Sequence, residues 1–213
     1  MEWNDNPVDF SRLPLEVMKD ASQPPPSGEL LRQYATSAAR ALGHRGWTKD
    51  VAGALDFDTA CKSWAAIAPN PRMGLLVWGA FGCGKTSLVR AVTRTTKLGT
   101  AWISCGDPEQ VERLLVEDWP THNRELLGVN IVIDDMGAES PKCDYGIRRE
   151  LVGELICRYH LYGQGRLFVT TNLGADLLTD RYTMRVCSRL KDLTIPLHLT
   201  GGDKRQWTKG GAA

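Results

Sequence analysis

The sequence has no apolar run near the roughly 20 residues that a membrane-spanning helix needs, so a membrane protein of that kind is excluded. Its first residues are acidic and lack the apolar stretch of a secretory signal, so the expectation is a cytoplasmic chain. No C-x-x-C pair and no Cys/His cluster occurs among the six cysteines, which excludes a zinc centre and fits a reducing compartment. Several cysteines fall in apolar segments, where a thiol serves as a small hydrophobe. There is no internal repeat, hence no solenoid. Net charge is also scarce: 26 Lys+Arg against 25 Asp+Glu leave +1. Bulk charge alone would not hold this chain on nucleic acid.

At 213 residues the chain is long enough to bury a core without a metal or disulfide, and short enough to be one domain with an arm. The small net charge hides a polarity. Residues 1–30 carry six acids against Arg12 and Lys19, whereas residues 181–213 carry seven bases against Asp192 and Asp203. Either end is equally well read as a solvated surface. Pro7, Pro14 and the run Pro24-Pro25-Pro26 make residues 1–27 an arm, with room for a short helix at Leu13–Lys19. We place the boundary at 1–49 for this N-terminal region, a possible partner-docking segment, and 50–213 for the core.

Apolar spacing predicts a helix over 28–43, ended by Gly43, and a second from Asp56 to Ala68, stopped by Pro69-Asn70-Pro71. Strands are then expected at 74–78, 100–104, 130–133, 166–171 and 194–199. Helices are expected between them at 85–97, 108–119, 144–162 and 179–190. Repeated strand–helix alternation means an α/β three-layer sandwich: a five-stranded parallel sheet with helices on both faces.

Gly79-Ala-Phe-Gly-Cys-Gly-Lys85-Thr86 matches G-x-x-x-x-G-K-[ST] between an apolar strand and a helix, which is the context of a P-loop. Gly79, Gly82 and Gly84 let backbone N–H groups curl inward as an anion nest, and the helix N-terminus adds its dipole. Lys85 is placed for β- and γ-phosphates and Thr86 for Mg²⁺. Cys83 and Ser87 complete the loop, Cys83 as a small filler. Downstream, Asn130-Ile-Val-Ile-Asp134-Asp135 puts two acids at the C-terminal end of a buried strand, where open α/β sheets bind ligands. Asp134 suits a Mg²⁺ held through water, and Asp135 an attacking water. Phe168-Val-Thr-Thr-Asn172 ends the next strand in polar groups, with Asn172 placed for the water or the γ-phosphate. Arg185 and Arg189, at i and i+4, share one helical face and need an anionic partner, such as a neighbouring subunit's nucleotide. A solvated basic face is the plainer alternative.

The set GAFGCGKTS, NIVIDDMG, LFVTTNL, MRVCSRL and LTGGDKR resembles the DnaC/IstB-like AAA+ ATPases, over about residues 50–206. These include bacterial and phage helicase loaders and the ATP-dependent helpers of some transposons. The resemblance implies a P-loop NTPase of AAA+ type without a C-terminal helical lid. It implies ATP and Mg²⁺ as ligands, Lys85 and Thr86 as Walker A, Asp134 and Asp135 as Walker B, and Asn172 as sensor 1. It implies Arg189 as arginine finger, Arg185 as a second arginine of the same box, and Arg205 as a late nucleotide contact. Asp135 departs from the glutamate of many AAA+ proteins, and its shorter side chain implies slow turnover.

The function implied is loading of a replicative helicase onto DNA, as a homo-oligomer closed by ATP, with single-stranded DNA against the basic C-terminal third and the loop at 137–145. Arg148 and Arg149 are read at the start of the long helix. The alternatives are a transposition helper that recruits a transposase, and an ATP-gated scaffold that scarcely hydrolyses. A small-molecule kinase is a remote fourth, lacking substrate arginines between strands.

Overall fold

A computed structural model describes residues 25–44, 47–115, 117–144 and 147–204. The short helix expected at Leu13–Lys19, and Arg205, lie outside the described residues. Three helices come first: α1 (Gly28–Ala41), α2 (Lys49–Gly53) and α3 (Phe57–Ile67). Then follow β1 (Gly74–Gly79), α4 (Lys85–Thr93), β2 (Thr100–Ser104), α5 (Pro108–Arg113), α6 (Trp119–His122), α7 (Arg124–Leu127) and β3 (Asn130–Met136). A hairpin of β4 (Lys142–Asp144) and β5 (Ile147–Arg149) precedes α8 (Leu151–Tyr162). The chain continues through β6 (Leu167–Thr171), α9 (Ala175–Arg181), α10 (Met184–Leu193) and β7 (Thr194–Leu199).

The main sheet is parallel throughout, in the order β2-β3-β6-β1-β7. This is the α/β sandwich with a five-stranded parallel sheet expected from the alternation of elements. Side chains alternate across a strand, so the two faces feed separate cores. Leu75 and Val77 of β1, Val132 of β3 and Phe168 of β6 join the layer of α1–α4. Leu76, Ile131, Ile133, Leu167 and Val169 point the other way, into the layer of α5–α10. Helix α1 buries Leu31, Ala35 and Ala39 in the same cluster as Leu88 and Val92 of α4, so it packs directly on the helix that opens the phosphate loop.

Four helix boundaries differ from the expectation, each for a local reason. The helix expected to run to Lys97 ends at Thr93, where the hydroxyls of Thr95 and Thr96 donate to the carbonyls of Val92 and Thr93 (2.7 Å each). The helix at 108 is capped by Asp107, whose carboxylate accepts from Gln110 N (3.0 Å), but it ends at Arg113 rather than Trp119. Trp119 instead begins α6, completely buried.

The long helix begins at Leu151, not Asp144, because Lys142–Asp144 pairs antiparallel with Ile147–Arg149. Arg148 and Arg149 are therefore strand residues. Arg149 forks onto Glu154 in the first turn of α8. The helix expected at 179–190 is two helices, broken at Tyr182–Thr183. Thr183 caps α10 through its hydroxyl.

Arg166, just ahead of β6, is 8% exposed. Its guanidinium donates to the carbonyls of Ile67 and Asn70 (2.8 Å each) and Ala68 (3.0 Å), and lies over the Trp64 ring. It satisfies the orphan carbonyls at the C-terminus of α3 and fixes the entry to β1. Removing it withdraws these charge-assisted bonds and leaves Ala68 O without its donor, while Ile67 O keeps the N–H of Asn70 (3.0 Å) and Asn70 O that of Met73 (3.2 Å). Arg166→Leu should therefore cost roughly 3 kcal/mol of unfolding free energy in urea denaturation. A change within about 0.5 kcal/mol would mean those carbonyls find other partners.

Candidate functional site

The site grows from the C-terminal ends of β1, β3 and β6. After β1 the chain turns through Gly79, Gly82 and Gly84, with φ of 151°, 72° and 103°. Gly84 is the N-cap of α4 in the left-handed region, and a Cβ there would lie 2.9 Å from Leu55 Cδ2. The left-handed conformation is what calls for glycine here. Lys85 follows, 5% exposed, and its ammonium donates to the carbonyls of Gly79 (3.0 Å) and Ala80 (2.9 Å) and to Asn172 Oδ1 (2.7 Å). Cys83 is fully buried beneath the loop, as a filler would be.

β3 ends in a bulge. Ile133 pairs with Val169 and Met136 with Thr171, so β3 takes one more residue than β6 over the same length. The extra residue falls at Asp134-Asp135, and Asp135 adopts φ 58°, a left-handed conformation rare for a side chain of this kind. Thr170 explains how the bulge is held. Its hydroxyl donates to Asp134 Oδ1 (2.6 Å) and accepts from Asp135 N (2.8 Å). Asp134 Oδ1 also accepts from Thr86 Oγ1 (3.0 Å). Asp134 is thereby turned toward the loop, while Asp135 faces solvent.

Beyond the acids, Gly137 has φ 95°, and a Cβ there would meet Leu173 Cδ1 at 2.4 Å. Its N–H donates to Glu139 Oε2 (2.8 Å). Glu139 is buried, accepts from the Tyr182 hydroxyl and pairs with Arg181 (3.5 Å). Burial and this carboxylate push the Tyr182 hydroxyl well above its ordinary range. Burial, with Glu139, Asp134 and Asp135 nearby, does the same to the Cys105 thiol. This cluster links the acid-bearing turn to the break before α10.

A cavity of about 260 Å³ is lined by Gly82, Gly84, Lys85, Thr86, Ser87, Asp134, Asp135 and Asn172, together with Leu42, His44, Trp47 and Phe81. The structure thus gathers the Walker-type residues read from the sequence. It does not bring Arg185 or Arg189 to this cavity. Arg185 lines a separate groove between α8 and α10, and Arg189 pairs with Asp192 (3.1 Å), which also meets His160 Nε2 (3.3 Å).

Thr170, Glu139 and the Leu42–Trp47 wall were not found from sequence. Nor was Lys204, whose buried ammonium donates to Ala54 O (2.8 Å) and whose N–H donates to Gly82 O (3.1 Å), tying the loop to the segment after α2. Thr170 and Lys204 lie inside the LFVTTNL and LTGGDKR segments and Leu42 in the first helical period, but nothing local marks the contacts these residues make.

The residues fit a nucleoside triphosphate. The loop backbone is curled by glycines, a buried ammonium sits inside it, and a hydroxyl and a carboxylate meet beside it. Among the described residues no group of three or more His, Cys, Asp or Glu is disposed to hold a metal. A divalent ion here would rest on Thr86 and Asp134, with phosphate oxygens and water completing its shell, as Mg²⁺ prefers. No described helix is long and apolar enough to cross a membrane.

No protein-family model matches the chain, and no curated protein is similar to it in sequence. Among solved structures, the chain is similar to the DnaC helicase loader, with 20% identity, 67% of this chain and 89% of that chain covered, and a TM-score of 0.49. It is also similar to DnaI, with 19% identity, 91% and 94% covered, and a TM-score of 0.45. Likenesses of this size bear on neither activity nor partner.

Proposed function

We propose that this chain binds and hydrolyses ATP and works as an assembly that loads a replicative helicase onto DNA. The observation that carries the ATPase reading is the Lys85–Asn172 and Thr86–Asp134–Thr170 arrangement at one sheet edge. A lone glycine-rich turn needs none of it. Lys85 has three donors, and all three have protein acceptors. Binding the β- and γ-phosphates exchanges these for charge-assisted bonds and releases Asn172 toward the attacking water. Thr86 and Asp134 would hold Mg²⁺, which neutralises charge developing on the phosphate oxygens. Asp135, exposed on its turn, accepts the proton of the water as it attacks the γ-phosphorus.

Arg189 and Arg185 act across a subunit boundary in this reading. Their absence from the cavity of their own chain is what such a role requires. Helicase loading, and single-stranded DNA as the second partner, rest on the motif resemblance. So do the boundary at residue 49 and the assignment of Arg205. The basic residues after 181 suit an assembly that lines several weakly basic segments along one strand.

Lys85→Ala should weaken ATP binding at least about tenfold in calorimetry, roughly 1.4 kcal/mol; unchanged affinity would refute the phosphate-loop assignment. Asp135→Asn should bind ATP normally yet lose on the order of 100-fold in turnover, measured as phosphate release with and without single-stranded DNA. Retained turnover would remove Asp135 from the chemistry. Arg189→Ala should bind ATP but fail to hydrolyse it. Mixing it with Asp135→Asn should restore part of the rate, because mixed interfaces pair an intact site with an intact arginine. No recovery at any ratio would argue against action in trans. Capture of host proteins on the ATP-trapped Asp135→Asn assembly should return a replicative helicase; a transposase in its place would favour the transposition reading.

A further inference from the structure

The phosphate loop is held from outside as well as shaped by its own glycines. Its first residue lies against the end of β7: a Cβ on Gly79 would stand 2.2 Å from the carbonyl oxygen of Leu199. After Leu199 the chain reverses through Gly201, with φ 117°. Lys204 is thereby returned to the loop, where its N–H donates to Gly82 O (3.1 Å). Residues 199–204 thus clasp the loop at two points, Gly79 and Gly82.

The second point decides where the next N–H aims. A trans peptide sends its C=O and its N–H in opposite directions. Holding Gly82 O toward Lys204 therefore turns the Cys83 N–H to the other side. There it faces Ala80 O (3.4 Å), the carbonyl that also takes the Lys85 ammonium (2.9 Å). An N–H on that side is a donor of the kind an anion nest needs. Glycine at 82, with φ 72°, does not by itself fix this peptide, so its orientation needs an external bond.

The Lys204 side chain strengthens the same tie. The residue is 4% exposed, and its ammonium donates to Ala54 O (2.8 Å) at the C-cap of α2. Burial pulls its affinity for the proton below the ordinary range of lysine, and no described carboxylate offsets that. Apolar packing would fill this space with less desolvation. An anion seated in the loop is what favours a cation beside it.

We infer that Lys204 is a positioning residue for phosphate binding: its N–H orients the Gly82–Cys83 peptide, and its ammonium fastens that contact to the end of α2. The inference rests on the nucleotide reading above and adds a residue that shapes the loop without touching the ligand.

The test combines calorimetry with inorganic tripolyphosphate and Mg²⁺-ATP, and amide hydrogen exchange, on the full chain. In ligand-free wild type the Lys204 amide should be protected. Lys204→Met keeps the stem and removes the charge. It should weaken tripolyphosphate and ATP by the same factor, about 5- to 20-fold. Turnover at saturating ATP should stay within about threefold, so that the change falls on KM rather than kcat. Amides of residues 80–84 should exchange about tenfold faster in this variant, with those of β1 and β6 unchanged. An unprotected Lys204 amide in wild type would overturn the inference, as would unchanged tripolyphosphate affinity in Lys204→Met. So would faster exchange spread through β1 and β6, which would mark Lys204 as a general stabiliser, or a loss confined to ATP. If wild type binds neither ligand, the phosphate-loop reading itself fails; if wild type and Lys204→Met bind both equally, only the role of Lys204 fails.

Discussion

The Thr170 hydroxyl at the end of β6 is the contact on which the site depends. It accepts from the backbone of Asp135 and donates to the carboxylate of Asp134 in the same bulge. The left-handed turn at Asp135 is thus stabilised by the group that also orients Asp134 toward Thr86. Backbone strain of this kind persists only where the surroundings over-determine it. Here parallel pairing to β6 on one side and to β2 on the other leaves the bulge one place to form.

A second theme is the handling of buried cations. Arg166, Lys85 and Lys204 are all nearly inaccessible, and each directs its donors at backbone carbonyls. Carbonyls compensate desolvation without the geometric demands of a buried ion pair. The consequences differ by position. Arg166 gathers the carbonyls at the end of α3 around one charge. Lys204 pins Gly82 to the segment after α2. Lys85 holds bonds that a phosphate can replace on better terms, because an anionic acceptor outcompetes a neutral carbonyl.

The layers divide the work. α1–α4 carry the phosphate loop and border the aromatic end of the cavity, while α8–α10 carry the two arginines on the opposite side of the sheet. Glu139 joins the turn after β3 to the second of these layers, bonded to Gly137 in the acid-bearing turn and to Tyr182 beside the cap of α10. A change at the acids therefore has a short, buried polar route to the helix whose arginines lie outside their own chain's cavity.

Much of this was legible in the residues taken in order. Apolar runs at 74–78 and 130–133 are strands because they are bounded by turn residues and too short for buried helices. Asp107 caps a helix because its spacing from Pro108 and Gln110 is local chemistry. The glycines and Lys85 form a phosphate loop because that geometry is written within eight consecutive positions. What the sequence could not show is whatever depends on distant backbone. Asp144 and residues 147–149 read as helix, yet pair as strands, since cross-strand bonds outweigh weak local preference. Thr170 looked like an ordinary strand-end threonine until β3 was beside it. Trp47 belonged to no periodic pattern, and only the fold brought it to the cavity that Lys85 also lines. Local spacing determined the motif and the order of elements; register between strands and contact between layers decided which side chains meet.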